Sequence, residues 1–180
     1  CGNTGRWEIE YTATDDCGNT ATATQNISIV DTTAPVFTST PQNETVECDA
    51  IPAPAQLDAE DICGSVSIAY DGQVLTQGCP FTITRTWTAT DACDNTSQYV
   101  QVITVEDTTA PSLEVESPIS LECGDAIPAS NYFVLDNCDD DVTVNVTEDQ
   151  FAGCGNTYTL TRTYTATDVC GNSTIVEQII

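Results

Sequence analysis

Nearly all the chemistry this 180-residue chain offers lies in ten cysteines and 28 carboxylates, since it has 3 Arg, no Lys and no His. From Cys48 to Cys93 the cysteines are spaced 15, 16 and 14 residues apart. With no C-x-x-C pair and no His, that spacing does not suit structural zinc. Disulfides are the expected use, which places the chain in an oxidising, extracellular compartment. The carboxylates gather in short loops and linkers. Asp31, Asp61 and Asp91 form one set; Glu106, Asp107, Asp136, Asp139 and Asp168 form the next. Several such oxygens beside Asn and backbone carbonyls suit a hard cation such as Ca²⁺, which takes 6–8 oxygen ligands. The same aspartates also suit plain turn-capping through their own backbone N–H groups. No D-x-D-x-D-G loop decides between these uses.

The formal charge of −25 disfavours nucleic acid and anionic membrane surfaces, which need Lys and Arg to displace counterions. Catalysis is poorly served. Without His or Lys the usual general bases and activated serines are missing. Carboxylate pairs can hydrolyse glycosides, but here they recur in every copy of a repeat, so no enzyme is expected.

That repeat is carried by the octads YTATDDCG, WTATDACD and YTATDVCG, which begin at Tyr11, Trp87 and Tyr164. DTTAP begins at Asp31 and again at Asp107, with the same period. Self-similarity of this length signals a tandem array of one module. Three domains are expected: residues 1–30 as the C-terminal half of a module, then full modules at 31–106 and 107–180. Beginning at Cys1 in mid-module, the sequence reads as a window on a longer array, with no signal peptide or span in view.

The elements that must position these groups are strands. In FTITRTWTATD, Phe81, Ile83, Arg85, Trp87 and Ala89 alternate with threonines. Tyr158, Leu160, Arg162, Tyr164 and Ala166 repeat the pattern. Period two over this length gives a strand with one apolar and one threonine face. A D-x-C-[GD]-N turn and a second strand from Thr96 to Val105 complete an antiparallel hairpin. VFTS, NETVE and VSIAY (from Val36, Asn43 and Val66) read as further short strands. The fold class is therefore all-β: tandem immunoglobulin-like β-sandwiches with two disulfides per module. Arg85 and Arg162 share the apolar parity, so their guanidinium groups are expected against an aromatic ring or at the sandwich edge.

Strand direction orders the sulfurs. Cys48 and Cys79 fall at one end of the module, Cys63 and Cys93 at the other. A strand of about 12 residues spans roughly 40 Å, whereas bridged Cα atoms lie within about 7 Å. The expected pairs are Cys48–Cys79, Cys63–Cys93, Cys123–Cys154 and Cys138–Cys170, each closing a loop inside one module. Cys1 and Cys17 would find their partners in the front half of the first module.

The pattern DTTAP, NETVEC, AEDICG, TWTATDACDNT, QVITVEDTTAP resembles the hyalin-repeat (HYR) module, an immunoglobulin-like extracellular domain. Its Cys-rich form is similar to tandem repeats in large surface proteins of Bacteroidota. One departure is Asp94, where the other copies have Gly18 and Gly171. The resemblance implies a cell-surface, adhesion-associated or stalk-forming role and no catalytic activity. It also implies O-glycosylation at Asp-Thr-Thr, making Thr32 and Thr108 the candidates. N-x-[ST] triplets occur at Asn26, Asn43, Asn95, Asn145 and Asn172.

The expected function is structural: an extracellular rod, stalk or filament, glycosylated and rigidified by Ca²⁺ at its junctions. Its partners would be neighbouring modules of the same chain or filament, with no nucleic acid and no membrane insertion in this segment. The alternatives are an adhesin module binding a surface carbohydrate or protein, or accessory repeats of a secreted enzyme. An adhesin would show an exposed aromatic patch, and Tyr132–Phe133 is the aromatic pair without a counterpart in the other copies.

Overall fold

A computed structural model describes residues 4–116, 118–122 and 124–180. Among them are thirteen strands and one short 3-10 turn at Cys48–Ala50. The first hairpin pairs β1 (Gly5–Thr14) with β2 (Thr20–Ile29) in unbroken register from Gly5↔Ile29 to Thr14↔Thr20. Then follow β3 (Val36–Ser39), β4 (Glu44–Glu47), β5 (Asp58–Glu60), β6 (Val66–Leu75), β7 (Phe81–Asp91) and β8 (Thr96–Glu106). β3 pairs with β5, while β4, β8, β7 and β6 form a four-stranded sheet. β4 runs parallel to β8, from Glu44↔Ile103 to Glu47↔Glu106. The remaining strands are β9 (Ser112–Val115), β10 (Tyr132–Leu135), β11 (Thr143–Ala152), β12 (Tyr158–Thr167) and β13 (Ser173–Ile179). They make a β9–β10 pair and a β11–β12–β13 sheet.

The period-two reading of the hairpins holds in detail. Along β7, Ile83, Arg85, Trp87, Ala89 and Asp91 are buried, and the intervening threonines are less so. Leu160, Arg162, Tyr164 and Ala166 repeat this on β12. Two layers face each other in residues 107–180: Leu113, Val115 and Val134 of the β9–β10 pair pack on Tyr164, Ala166, Val144, Val146 and Val176. The fully buried Trp87 ring lies 5.3 Å from Tyr70 and 6.1 Å from Tyr99. These are the packed faces of an all-β sandwich.

The two arginines lie inside the fold. Both are buried rather than at an edge, at 2% and 4% exposure. The pleat aims them inward, so each needs a polar partner from the neighbouring strand. Arg85 Nε donates to Gln73 Oε1 at 3.2 Å. Arg162 Nε donates to Glu148 Oε1 at 2.6 Å as an ion pair, with Glu148 directly across the β11–β12 ladder.

Compactness does not follow the sequence repeat. One unit comprises residues 1–43, 53–74 and 84–102; the other comprises 44–52, 75–83 and 103–180. Each unit thus straddles one DTTAP linker. The lower end of β4, β7 and β8, with its core of Ile83, Ile103 and Val105 packed by Val46, Cys48 and Phe81, belongs to the second unit. Both linker prolines, Pro35 and Pro111, are buried.

Candidate functional site

The D-x-C-x-N turn is built the same way three times. Asp15 Oδ1 accepts from the amides of Cys17 and Asn19, while Oδ2 accepts from Asn19 Nδ2. Asp91 does the same with Cys93 and Asn95. Asp168 holds Asn172 by its amide and Nδ2. These bonds stabilise the ionised carboxylate. The Asn19 side chain, then its backbone, hold Asp15 below the usual Asp range. Burial pushes Asp91 upward, but the bonds from Asn95 and Cys93 outweigh it and leave it lowered. The turn needs a left-handed residue, supplied by Gly18 at φ 86° and Gly171 at φ 90°. Asp94 takes φ 65° in their place, so the turn survives a residue for which that conformation is costlier.

Around each linker three aspartates converge. Asp107 has a carboxylate oxygen within 4.8 Å of one from Asp136, in a group with Cys138, and within 4.8 Å of one from Asp168, in a group with Cys170. Asp31 is grouped in the same way with Asp61 and Cys63 and with Asp91 and Cys93. One oxygen of each linker or loop aspartate serves the fold: Asp31 caps Thr33, Asp61 caps Cys63, Asp107 caps Thr109, and Asp136 caps Cys138 and Asp139. The second oxygen is another matter. Asp107 Oδ2 and Asp136 Oδ2 are buried with no hydrogen-bond partner, and Asp107 as a whole is 8% exposed. Burial, with the charges of Asp136, Asp168 and Glu47, pushes the Asp107 carboxyl up despite the Thr109 amide. A buried carboxylate oxygen without a donor is costly unless it meets a proton or a cation. These groups could hold a metal ion: at the Asp107 linker Cys138 and Cys170 are both bridged and offer no thiolate, which leaves oxygen donors, whereas the free thiol of Cys63 stands among the groups at the Asp31 linker.

The gathered groups leave out Glu106 and Asp139. Glu106 is exposed at the end of β8. Asp139 spends its oxygens on the amides of Asp141 and Val169.

The disulfides overturn the sequence-derived pairing. Cys48 is bridged to Cys138, with Cα atoms 5.8 Å apart, and Cys79 to Cys170 at 5.2 Å. Neither Cys48–Cys79 nor Cys138–Cys170 exists. Cys63 and Cys154 are free thiols, which excludes Cys63–Cys93 and Cys123–Cys154. Cys93 is disulfide-bonded, and Cys123 lies outside the described residues. Cys48 and Phe81 pack on the same cluster of Ile83, Ile103 and Val105. Each of these bridges joins cysteines of successive repeats of the sequence and neither closes within one. The short linker brings the next loop, 136–141, and the next turn, 168–172, against Cys48 and Cys79. Asn137 Nδ2 lies 3.1 Å from Cys138 Sγ, and Glu47 accepts from the Thr108 hydroxyl at 2.5 Å and its amide at 3.2 Å. Asn172 Nδ2 reaches back to Asp107 O at 3.0 Å, as Asn95 Nδ2 reaches Asp31 O at 3.3 Å. The sequence held a signal for this arrangement: Cys48 to Cys138 and Cys79 to Cys170 are separated by 90 and 91 residues, a distance longer than one repeat by a constant offset.

Burial and the nearby Asp31 and Asp61 charges push the Cys63 thiol up. Among the glycosylation candidates, Thr32, Asn26 and Asn145 are exposed. Thr108 is exposed with its hydroxyl given to Glu47. Asn43 Oδ1 accepts from Val102 N. The Nδ2 atoms of Asn95 and Asn172 each make two hydrogen bonds that a glycan would displace.

Residues 36–105 match the family described as "HYR-like domain with 4 cysteines". That match covers 70 of the 180 residues, and over them the chain is similar to an HYR-like module. A search of curated proteins found no match. Among solved structures, the chain is similar to protocadherin gamma B7 extracellular cadherin domains 1–4, at 16% identity and TM-score 0.38, covering 99% of this chain and 57% of that one. The protocadherin gamma B4 extracellular domain gives 14% and 0.37, covering 99% and 36%. Mouse protocadherin-24 EC1–3 gives 14% and 0.35, covering 97% and 79%. The chain therefore spans little more than half of the first of these and about a third of the second. No helix among the described residues is long and apolar enough to cross a membrane.

Proposed function

We propose that this chain is a stretch of an extracellular adhesion-type protein, in which repeated HYR-like modules (31–106 and 107–180, with 1–30 as part of another) are welded to their neighbours across each linker. One observation carries the reading: two disulfides bracket a single linker, Cys48–Cys138 and Cys79–Cys170. Two covalent ties at separate points remove the hinge that a five-residue linker would otherwise provide. The mechanism is mechanical. Such a stalk keeps its reach and resists unfolding while a binding face does its work.

A binding face is supported by the β9–β10 edge. Phe133 and Leu135 are 59% and 58% exposed there, and Tyr132 is 45% exposed with its ring 6.1 Å from Tyr164. Neighbouring exposed apolar groups of this size suit a protein or carbohydrate ligand. This favours the adhesive reading over a purely self-assembling filament.

Calcium is the finer part of the proposal. Asp107, Asp136 and Asp168 would hold it at one linker, and Asp31, Asp61 and Asp91 at the other. The ion would neutralise the converging charge and satisfy the two orphan oxygens. Glycans at Thr32, Thr108, Asn26 and Asn145 are further proposals that intact mass would read directly. Thermal melting in excess chelator and in millimolar Ca²⁺ tests the ion. A rise in Tm with Ca²⁺ but not with matched ionic strength supports it; identical melts remove it.

A further inference from the structure

The repeats at 31–106 and 107–180 carry the same edge strand in opposite condition. β5, paired with β3, and β10, paired with β9, hold equivalent places: each ends one residue before the loop aspartate, Asp61 or Asp136. Ala59 faces Phe37 across its ladder as Val134 faces Leu113. Glu60 is thus the counterpart of Leu135, and Asp58 of Phe133. β5 is three residues long, its register breaks between Phe37 and Ser39, and both its acids are exposed. Shortness, a bulge and charge are devices that keep a sheet edge from pairing with another chain. β10 has neither the break nor the charge. Its four residues pair with Val115 to Ser112 in continuous register.

The inner face of β10 is anchored and its outer face is bare. Val134 packs into the core, and the Tyr132 ring lies 6.1 Å from that of Tyr164. The pleat therefore turns Phe133 and Leu135 outward, where both are more than half exposed. Among the described residues, β9 is the only strand that pairs with β10. In an antiparallel pair every second residue directs its N–H and C=O away from the partner, so the far side of β10 presents an open ladder. Charge selects what can fill it. The exposed Glu114 stands opposite Phe133 on β9, and Asp136, Asp139, Asp140 and Asp141 follow β10 directly. Two of the three arginines are buried, so a formal charge of −25 goes almost unopposed. A second copy of this chain would bring like charge to the contact, whereas a basic segment complements it.

We propose that β10 docks an extended segment of a basic protein, which adds to the β9–β10 pair as a further strand. This rests on the adhesive reading above and names its partner. Backbone bonds to the open side of β10 supply the pairing. Apolar side chains at alternate positions of the segment cover Phe133 and Leu135. Flanking Lys or Arg meets Glu114 and the loop acids. The repeat at 31–106 has the same scaffold but keeps its edge closed with Asp58 and Glu60, so one repeat binds and the other does not.

The test pans a phage-displayed library of random linear peptides on the 180-residue chain. Counter-selection uses Phe133→Asp with Leu135→Glu, which installs the acids of the other repeat at exposed positions. Selected peptides should be rich in Lys and Arg, should bind that variant at least about tenfold more weakly, and should slow hydrogen exchange at amides within 132–135. Phe133→Thr with Leu135→Thr keeps β propensity and adds no charge, and should weaken binding too. Thermal melts matching the wild type show that both variants fold. The proposal is overturned if no peptide discriminates, if the discriminating peptides lack basic residues, or if the β10 amides stay unprotected. Self-association in sedimentation that the variants abolish overturns it in favour of a second copy. A glycan array with the same proteins separates this failure from that of the adhesive reading. A sugar bound by the wild type and lost in the variants keeps the adhesive face and removes the peptide partner. If neither library nor array distinguishes variants from wild type, the adhesive reading falls as well.

Discussion

The two linkers of this chain are chemical copies with different covalent states. At Asp107 the carboxylate trio is flanked by two bridged cysteines, Cys138 and Cys170, whose partners are both described. At Asp31 the equivalent trio sits beside bridged Cys93 and free Cys63. The same turn, the same Asn-to-linker hydrogen bond and the same aspartates occur at both. The carboxylate groups thus form whether or not both neighbouring cysteines are bridged, and the bridge is a separate layer. The cage closes within one repeat of the sequence; the weld reaches into the next.

Breaking the weld should have the largest effect. Cys79→Ser with Cys170→Ser removes a bridge spanning 91 residues, for which chain entropy alone gives about 4–5 kcal/mol. Cys63→Ser, at the unbridged position, should change urea-unfolding stability by less than about 0.5 kcal/mol. Equal losses at the two positions would erase the distinction between linkers.

Removing a cage carboxylate should have the next largest effect. Asp107→Asn should abolish the Ca²⁺-dependent part of stability at its linker, worth about 2.7 kcal/mol at a hundredfold excess over Kd. Calorimetric titration should then lose one site and keep that of Asp31, Asp61 and Asp91. Retention of both would return the aspartates to turn-capping alone.

Much of this was legible in sequence, and what was missed has a physical cause. Alternation fixed β7 and β12 because a two-residue period leaves little choice of face. The D-x-C-x-N turns were readable because Asp bonds within four residues of itself. The parallel pairing of β4 with β8 and the sulfur pairing are different: both join segments far apart in sequence, where local pattern is silent. Arg85 and Arg162 show a third case. Their parity gave the inward direction, but Gln73 and Glu148 come from neighbouring strands whose register no local motif announces. Asp94 shows the reverse, a local oddity that the fold tolerates without changing the turn.

The arginines supply a smaller comparison. Residue 85 is answered by a neutral amide and residue 162 by a carboxylate that is about half exposed. Glu148→Gln makes the second resemble the first and should cost about 1 kcal/mol in denaturant unfolding. A loss several times larger would mean that the charge, and not the hydrogen bond, holds the buried guanidinium.

The smallest effect concerns pH. Asp15 is lowered chiefly by Asn19, so its folded value lies below its unfolded one. Its contribution is present above the ordinary Asp range and fades as pH falls through the lowered folded value. Amide exchange at Cys17 and Asn19 should speed up in that acid window, and Asp15→Asn should flatten the dependence. Exchange that is indifferent to pH after correction for its intrinsic rate would contradict the bond pattern.

The central claim is that sulfur bridges join neighbours across a linker. Mass spectrometry of a non-reduced peptic digest of thiol-blocked chain tests it most directly. The account predicts cross-linked peptides carrying Cys48 with Cys138 and Cys79 with Cys170. Peptides joining Cys48 to Cys79, or Cys138 to Cys170, would contradict it.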